Sequence, residues 1–128
     1  MRVRKKAFVL DDRCIHALAA VFDTSPEPVR AVRVTQHSVF ALLHRARAVT
    51  RRNAIYLSGS GAVFAADPEL ILHEYFHVLR QWKTGELTIA RYIAEWVRQG
   101  FCYERIRYEV EARAFAARNV GRYRSLLG

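Results

Sequence analysis

Asp67-Pro68-Glu69-Leu70-Ile71-Leu72-His73-Glu74-Tyr75-Phe76-His77-Val78-Leu79 is the stretch on which the reading of this chain turns. Asp67 is a good helix N-cap, proline is tolerated at the first helical position, and Glu69 suits the positive end of the helix dipole. Gly85 is a natural terminator. Leu72, Phe76 and Leu79 recur at i, i+4 and i+7, which gives this helix an apolar stripe for a core. On the adjoining face, His73 and His77 flank Glu74 in the pattern H-E-x-x-H. An α-helix turns once in about 3.6 residues, so both imidazoles point the same way and can give two nitrogen ligands to one tetrahedral ion. Glu74 cannot easily reach such an ion, but it can hydrogen-bond a water in the open coordination position and serve as general base.

A catalytic zinc needs a third protein ligand. Beyond His77 the chain has no further histidine, and its sole cysteine there is Cys102. The glutamates are better placed. Tyr103 to Ala116 lacks proline and glycine and is rich in helix formers, so it predicts a second long helix carrying Glu104, Glu109 and Glu111. Glu109 and Glu111 diverge by about 200° on one helix, so only one of them can face the metal. Glu109 is preferred, because the small Ala112 one turn on permits close approach of the two helices. Taken without the upstream motif, these glutamates read equally well as salt-bridge partners for the arginines of a basic helix.

His73 to His77 together with Tyr108-Glu109-Val110-Glu111-Ala112-Arg113-Ala114-Phe115-Ala116 resembles the gluzincin class of zinc metallopeptidases, in which a glutamate on a later helix completes H-E-x-x-H. The later motif of that class commonly reads E-x-x-A with Phe-Ala shortly after, and Glu109, Ala112, Phe115 and Ala116 match those places. The resemblance therefore implies Zn2+ held by His73, His77 and Glu109, a zincin-like fold, and peptide hydrolysis. Arg113 departs from the pattern, because relatives often carry there an Asp or Asn that supports a histidine ligand, and arginine cannot accept that hydrogen bond. From Asn53 through Gln81 the chain is also similar to small bacterial metallopeptidase-like domains.

The 128 residues suffice for one domain with a single core and leave no room for a sizeable separate substrate-binding domain, so residues 1–128 are expected to form one unit with an open cleft. A hydrophobic fraction of 52% excludes a disordered chain, and no apolar run is long enough to span a bilayer. Arg2 to Lys6 is basic, but the apolar run Ala7 to Leu10 is closed by Asp11 and Asp12, so no cleavable signal peptide is expected. Cys14 and Cys102 do not make a disulfide framework and read as reduced core residues. The expected location is the cytoplasm, or outside the cell by a route without a cleavable signal.

A net charge of +9, with clusters at Arg2 to Lys6, Arg45 to Arg52 and Arg105 to Arg124, invites a nucleic-acid reading through phosphate neutralisation. No zinc-finger spacing, glycine-rich phosphate loop or RNA-recognition motif accompanies it. A solvated basic face, or attraction for acidic peptide or protein substrates, accounts for the charge at least as well.

Elsewhere the patterning predicts a strand at Phe8 to Leu10, a helix at Cys14 to Phe22 and a proline-bearing loop at Asp23 to Pro28. Strands follow at Val29 to Thr35 and Asn53 to Leu57, with a short helix at Val39 to Ala48 between them. Ser58 to Gly61 reads as a turn before an edge strand or loop near Val63 and Phe64, where an extended substrate could pair by its main chain. Thr88 to Val97 reads as a helix closed by Gly100. The expected class is α+β, a small mixed sheet packed on several helices.

Function follows as metal-assisted amide hydrolysis, with Tyr92, Tyr103 and Tyr108 as candidate oxyanion donors not distinguished from packing tyrosines. His16, His37 and His44 read as surface or core residues. Two rivals stand beside this expectation: a zinc-binding interaction or toxin-associated module in which Glu74 is idle, and a basic nucleic-acid binder whose motif is coincidental.

Overall fold

The computed structural model describes residues 6–44 and 46–128, so Arg2 to Lys5 and Arg45 of the basic clusters lie outside the described residues. Its class is α+β. In chain order the elements are β1 (Ala7–Phe8), α1 (Asp12–Val21), α2 (Pro26–Arg30), β2 (Arg33–Thr35), α3 (Val39–Leu43), β3 (Ala48–Arg51), β4 (Ala54–Leu57), α4 (Gly61–Ala65), α5 (Pro68–Phe76), α6 (Ile89–Arg98) and α7 (Arg107–Leu127). A π-helical turn, His77–Trp82, continues α5, and a 3-10 turn, Tyr103–Arg105, precedes α7. No helix among the described residues is long and apolar enough to cross a membrane.

The four-stranded sheet runs in the order β1-β2-β4-β3. The β2 and β4 strands are parallel, with Val34 opposite Ile55, whereas β1 and β3 join antiparallel on either side. The edge strand β3 is half of a hairpin whose turn, residues 52–53, places Asn53 at φ 60. Asparagine tolerates that left-handed conformation better than most residues do.

Both helices that carry the motif residues are anchored in the core. Ile71, Leu72 and Tyr75 of α5 are buried with Leu18 and Phe22 from the α1 segment and Phe115, Ala116 and Tyr123 of α7. The same cluster takes in Ile55 and Leu57 of β4. Asp67 caps α5 as expected, accepting from the Leu70 amide at 3.2 Å, and its other oxygen accepts from Arg47 at 2.8 Å. Gly85, at φ 83, supplies the left-handed residue after the π-helical turn.

Several expected elements differ. Pro26 and Pro28, read as loop residues, open α2, because the first turn of a helix tolerates a residue without an amide proton. That helix takes Val29 and Arg30, so the strand expected from Val29 shortens to Arg33–Thr35. Of the helix expected over Val39 to Ala48, only Val39–Leu43 is helical, and Ala48 begins a strand. Val63 and Phe64 lie in α4, not in an edge strand, since the Ser60 hydroxyl caps that helix by accepting from the Val63 amide at 3.1 Å. The strand expected at Phe8 ends there, and the helix expected from Tyr103 starts only after Ile106, whose ψ of 126 breaks the helical path. Cys14 and Cys102 are free and half-buried.

Gly61 is buried, and a Cβ at that position would lie within the ring of Phe8. Gly61→Ala should therefore destabilise the fold by about 1–3 kcal/mol, the usual cost of overpacking, and Phe8→Ala in the same chain should restore part of the loss. Paired urea denaturation curves check this.

Candidate metal centre

His73 and His77 leave α5 and the first residue of the π-helical turn on one side, and Glu109 comes to meet them from the first turn of α7. Glu109 Oε1 lies 3.0 Å from His73 Nε2 and 3.1 Å from His77 Nε2. The three ligand atoms fall within 4.8 Å of one another, with His77 and Glu109 buried. A tetrahedral ion with bonds of about 2.0–2.2 Å holds its ligand atoms a little over 3 Å apart. The arrangement is thus compatible with a metal site in both spacing and donor type. Ala112 is fully buried one turn beyond Glu109, on the helix that packs against α5.

Glu111 faces elsewhere. Its Oε1 accepts from Gln81 Nε2 at 3.1 Å, and the second proton of that amide goes to the Tyr108 carbonyl at 3.0 Å. Because both amide protons are committed, Gln81 presents its oxygen to His77, whose Nδ1 donates to it at 2.6 Å. Gln81 is 1% exposed. The imidazole is thereby held in the tautomer that directs Nε2 at the site, which is the work a support for a metal-ligating histidine performs. Arg113 does not take that part and instead donates to the backbone carbonyl of Glu104. Reading from Arg113 missed Gln81, although its position four residues after His77 placed it on the same side of a helix as the ring.

Charge at the centre is unequally distributed. Burial raises the Glu109 carboxyl, but hydrogen bonds and charge from His73 and His77 outweigh it and hold the group well below the usual carboxylate range. Burial also works against a charged His77, yet the hydrogen bond and charge of Glu109 push it up to about 9. Burial pushes Glu74 up to about 6, with His77 and His73 opposing the rise. Glu74 is 8% exposed and lines the same cleft as the cluster.

That cleft has a volume of about 1210 Å³. Its lining takes in β3 with Arg47 and His44, Trp82 and Leu87, and Ile89, Tyr92, Ile93 and Trp96 of α6. Trp82 Nε1 donates to Thr50 Oγ1 at 3.1 Å, tying the edge strand to the turn that follows His77. Tyr92 donates to Glu109 Oε2 at 3.0 Å, and Tyr103 stands at the rim near the same carboxylate. Burial and the charge of Glu109 raise both phenols, so both stay protonated as donors. Tyr108 is a packing residue. It is 2% exposed and its hydroxyl donates to the Glu86 carbonyl. His16 and His37 are exposed away from the cleft, and His44 is exposed at its rim.

No protein-family model, curated protein or solved structure matches this chain.

The raised Glu74 carboxyl sets a stability profile. An acid whose folded pKa exceeds its ordinary value of 4.5 costs stability once pH rises through about 4.5 to 6, and the cost is complete above that window. The shift corresponds to about 2 kcal/mol. Glu74→Gln should therefore match the wild type below pH 4.5 and be the more stable protein at pH 7, as measured by denaturation across that range. Gln81→Leu should weaken metal uptake by about 10–100-fold while the helical circular dichroism is unchanged, which competitive chelation reads directly.

Proposed function

We propose that this chain is a zinc-dependent metallopeptidase of the gluzincin type that hydrolyses peptide bonds with Glu74 as general base. The observation that carries this reading is the meeting of His73 Nε2, His77 Nε2 and Glu109 Oε1 beside a buried carboxyl, Glu74, tuned to about 6. Two imidazoles and one carboxylate form a set suited to catalytic zinc, which keeps a fourth position for water or substrate. Bound there, zinc would supply Lewis acidity, polarising the scissile carbonyl and bringing a water's pKa down to about 7.

The protein's own groups account for the proton traffic. Glu74, ionised at neutral pH and with its affinity for protons raised by burial, takes a proton from the attacking water and returns it to the leaving amine. Its closeness to neutrality serves both directions of transfer. Tyr92 and Tyr103 bring phenols to the edge of the site, and either, on exchanging Glu109 for substrate as its acceptor, donates to the oxygen on which negative charge develops. Glu111, through Gln81, keeps His77 facing inward while this happens.

The outer side of β3 suits substrate. Among the described residues that strand pairs with β4 alone, and it borders the cleft, so an extended peptide can add to it through main-chain hydrogen bonds. Main-chain pairing at β3 takes the place expected for Val63 and Phe64. The net charge of +9 favours acidic peptides.

Purified protein should carry one zinc per chain, and His73→Ala, His77→Ala and Glu109→Ala should each lose it. Glu74→Gln should keep the zinc and lose at least about 100-fold in cleavage of a mixed peptide library, the lower range for removing an acid–base group. Equal cleavage in Glu74→Gln and wild type, or none in either, removes the peptidase assignment. Stoichiometric zinc without cleavage identifies an idle zinc-binding module.

A further inference from the structure

The α6 helix is built the wrong way round for a helix that simply covers a core. Ile89, Ile93 and Trp96 recur at i, i+4 and i+7 and share one face, yet they are 52%, 52% and 40% exposed. The sole residue that α6 buries is Glu95. Its carboxylate accepts from the Arg107 amide at the start of α7 and from the Gln99 side chain, and it pairs with Arg98 at 3.0 Å. The helix is thus fastened by a polar residue, while its apolar stripe faces the cleft that contains His73, Glu74 and Glu109.

We infer that the Ile89, Ile93 and Trp96 face of α6 is a recognition wall that takes a bulky apolar side chain from an extended peptide lying along β3. The inference deepens the peptidase reading and rests on it for the chemistry at the metal. Three observations select a peptide as occupant. The apolar stripe and the outer edge of β3 line one cleft, so a strand added to β3 brings every second side chain to one face of the sheet within the cleft that the stripe also lines. The net charge of +9 draws in acidic residues flanking the apolar one, Arg47 at the rim being already paired with Asp67. A second copy of the chain would bring +9 against +9, which opposes self-association.

The test uses zinc-loaded full-length Glu74→Gln as a non-cleaving binder, an immobilised form of which is exposed to a randomised decapeptide library and the retained peptides sequenced by mass spectrometry. Enrichment of Phe, Leu, Ile, Met or Trp at one fixed position, with Asp or Glu nearby, is the expected result. Adding Ile89→Ser and Ile93→Ser should abolish that enrichment and weaken the best peptide at least about tenfold, the effect of losing burial of one large apolar side chain. Ile93→Ser alone serves if the triple variant melts early, and sedimentation of the wild type reports self-association. Retention with no apolar preference, a preference indifferent to both serines, or a concentration-dependent dimer abolished by Ile93→Ser overturns the inference and leaves the peptidase reading standing. Apolar peptides bound by the variant but uncleaved by the wild type preserve the inference and remove the peptidase reading.

Discussion

One carboxylate oxygen, Glu109 Oε1, shared between two imidazoles holds this site together. Those rings and that carboxylate come from segments 32 or more residues apart in the chain. Their meeting depends on how closely α5 and α7 pack. Ala112 allows the approach, and Leu72, Tyr75, Phe115 and Ala116 fix it with apolar surface. A buried charged group is expensive unless it is paired and hydrogen-bonded. Here each member of the cluster answers another, so the helices are held by polar contacts at one end and by core packing along their length.

Glu74 has no such compensation. It is buried among the same groups, and its carboxyl is pushed towards neutrality by desolvation that the histidines only partly offset. Strain of this kind persists where the surroundings over-determine a residue, and it concentrates at sites that perform chemistry. Glu109, held well below the ordinary range, and Glu74, raised above it, thus have opposite affinities for a proton, as the proposed ligand and general-base roles require.

What the sequence disclosed about this molecule was governed by periodicity and by residue chemistry. Helix α5 was legible because Asp67, Pro68 and the Leu72, Phe76, Leu79 stripe agree with one another, and His73 and His77 fall on one face for the same reason. Glu109 and Glu111, two residues apart, could not both face the metal, and Ala112 and the gluzincin resemblance chose Glu109. Strand β3 was hidden, since Asn53, read as part of the following strand, is the turn residue that closes the hairpin. Proline misled in α2, where its exclusion from helix interiors does not apply to the first turn. Gln81 escaped notice because its importance lies in a third partner, Glu111, and in a carbonyl, that of Tyr108, neither of which is near it in the chain.

The π-helical path of residues 77–82 sets a limit on what the histidine pattern alone conveys. The Lys83 amide bonds to the Val78 carbonyl five residues back, so this turn spends one residue more than an α-helix of equal winding. A chain shortened by one residue there would keep H-E-x-x-H intact and still rotate Gln81 off His77 and Trp82 off Thr50. Two proteins alike in their five-residue motif can therefore differ in whether the second imidazole is braced and the neighbouring strand tethered, according to the length of the segment that comes next.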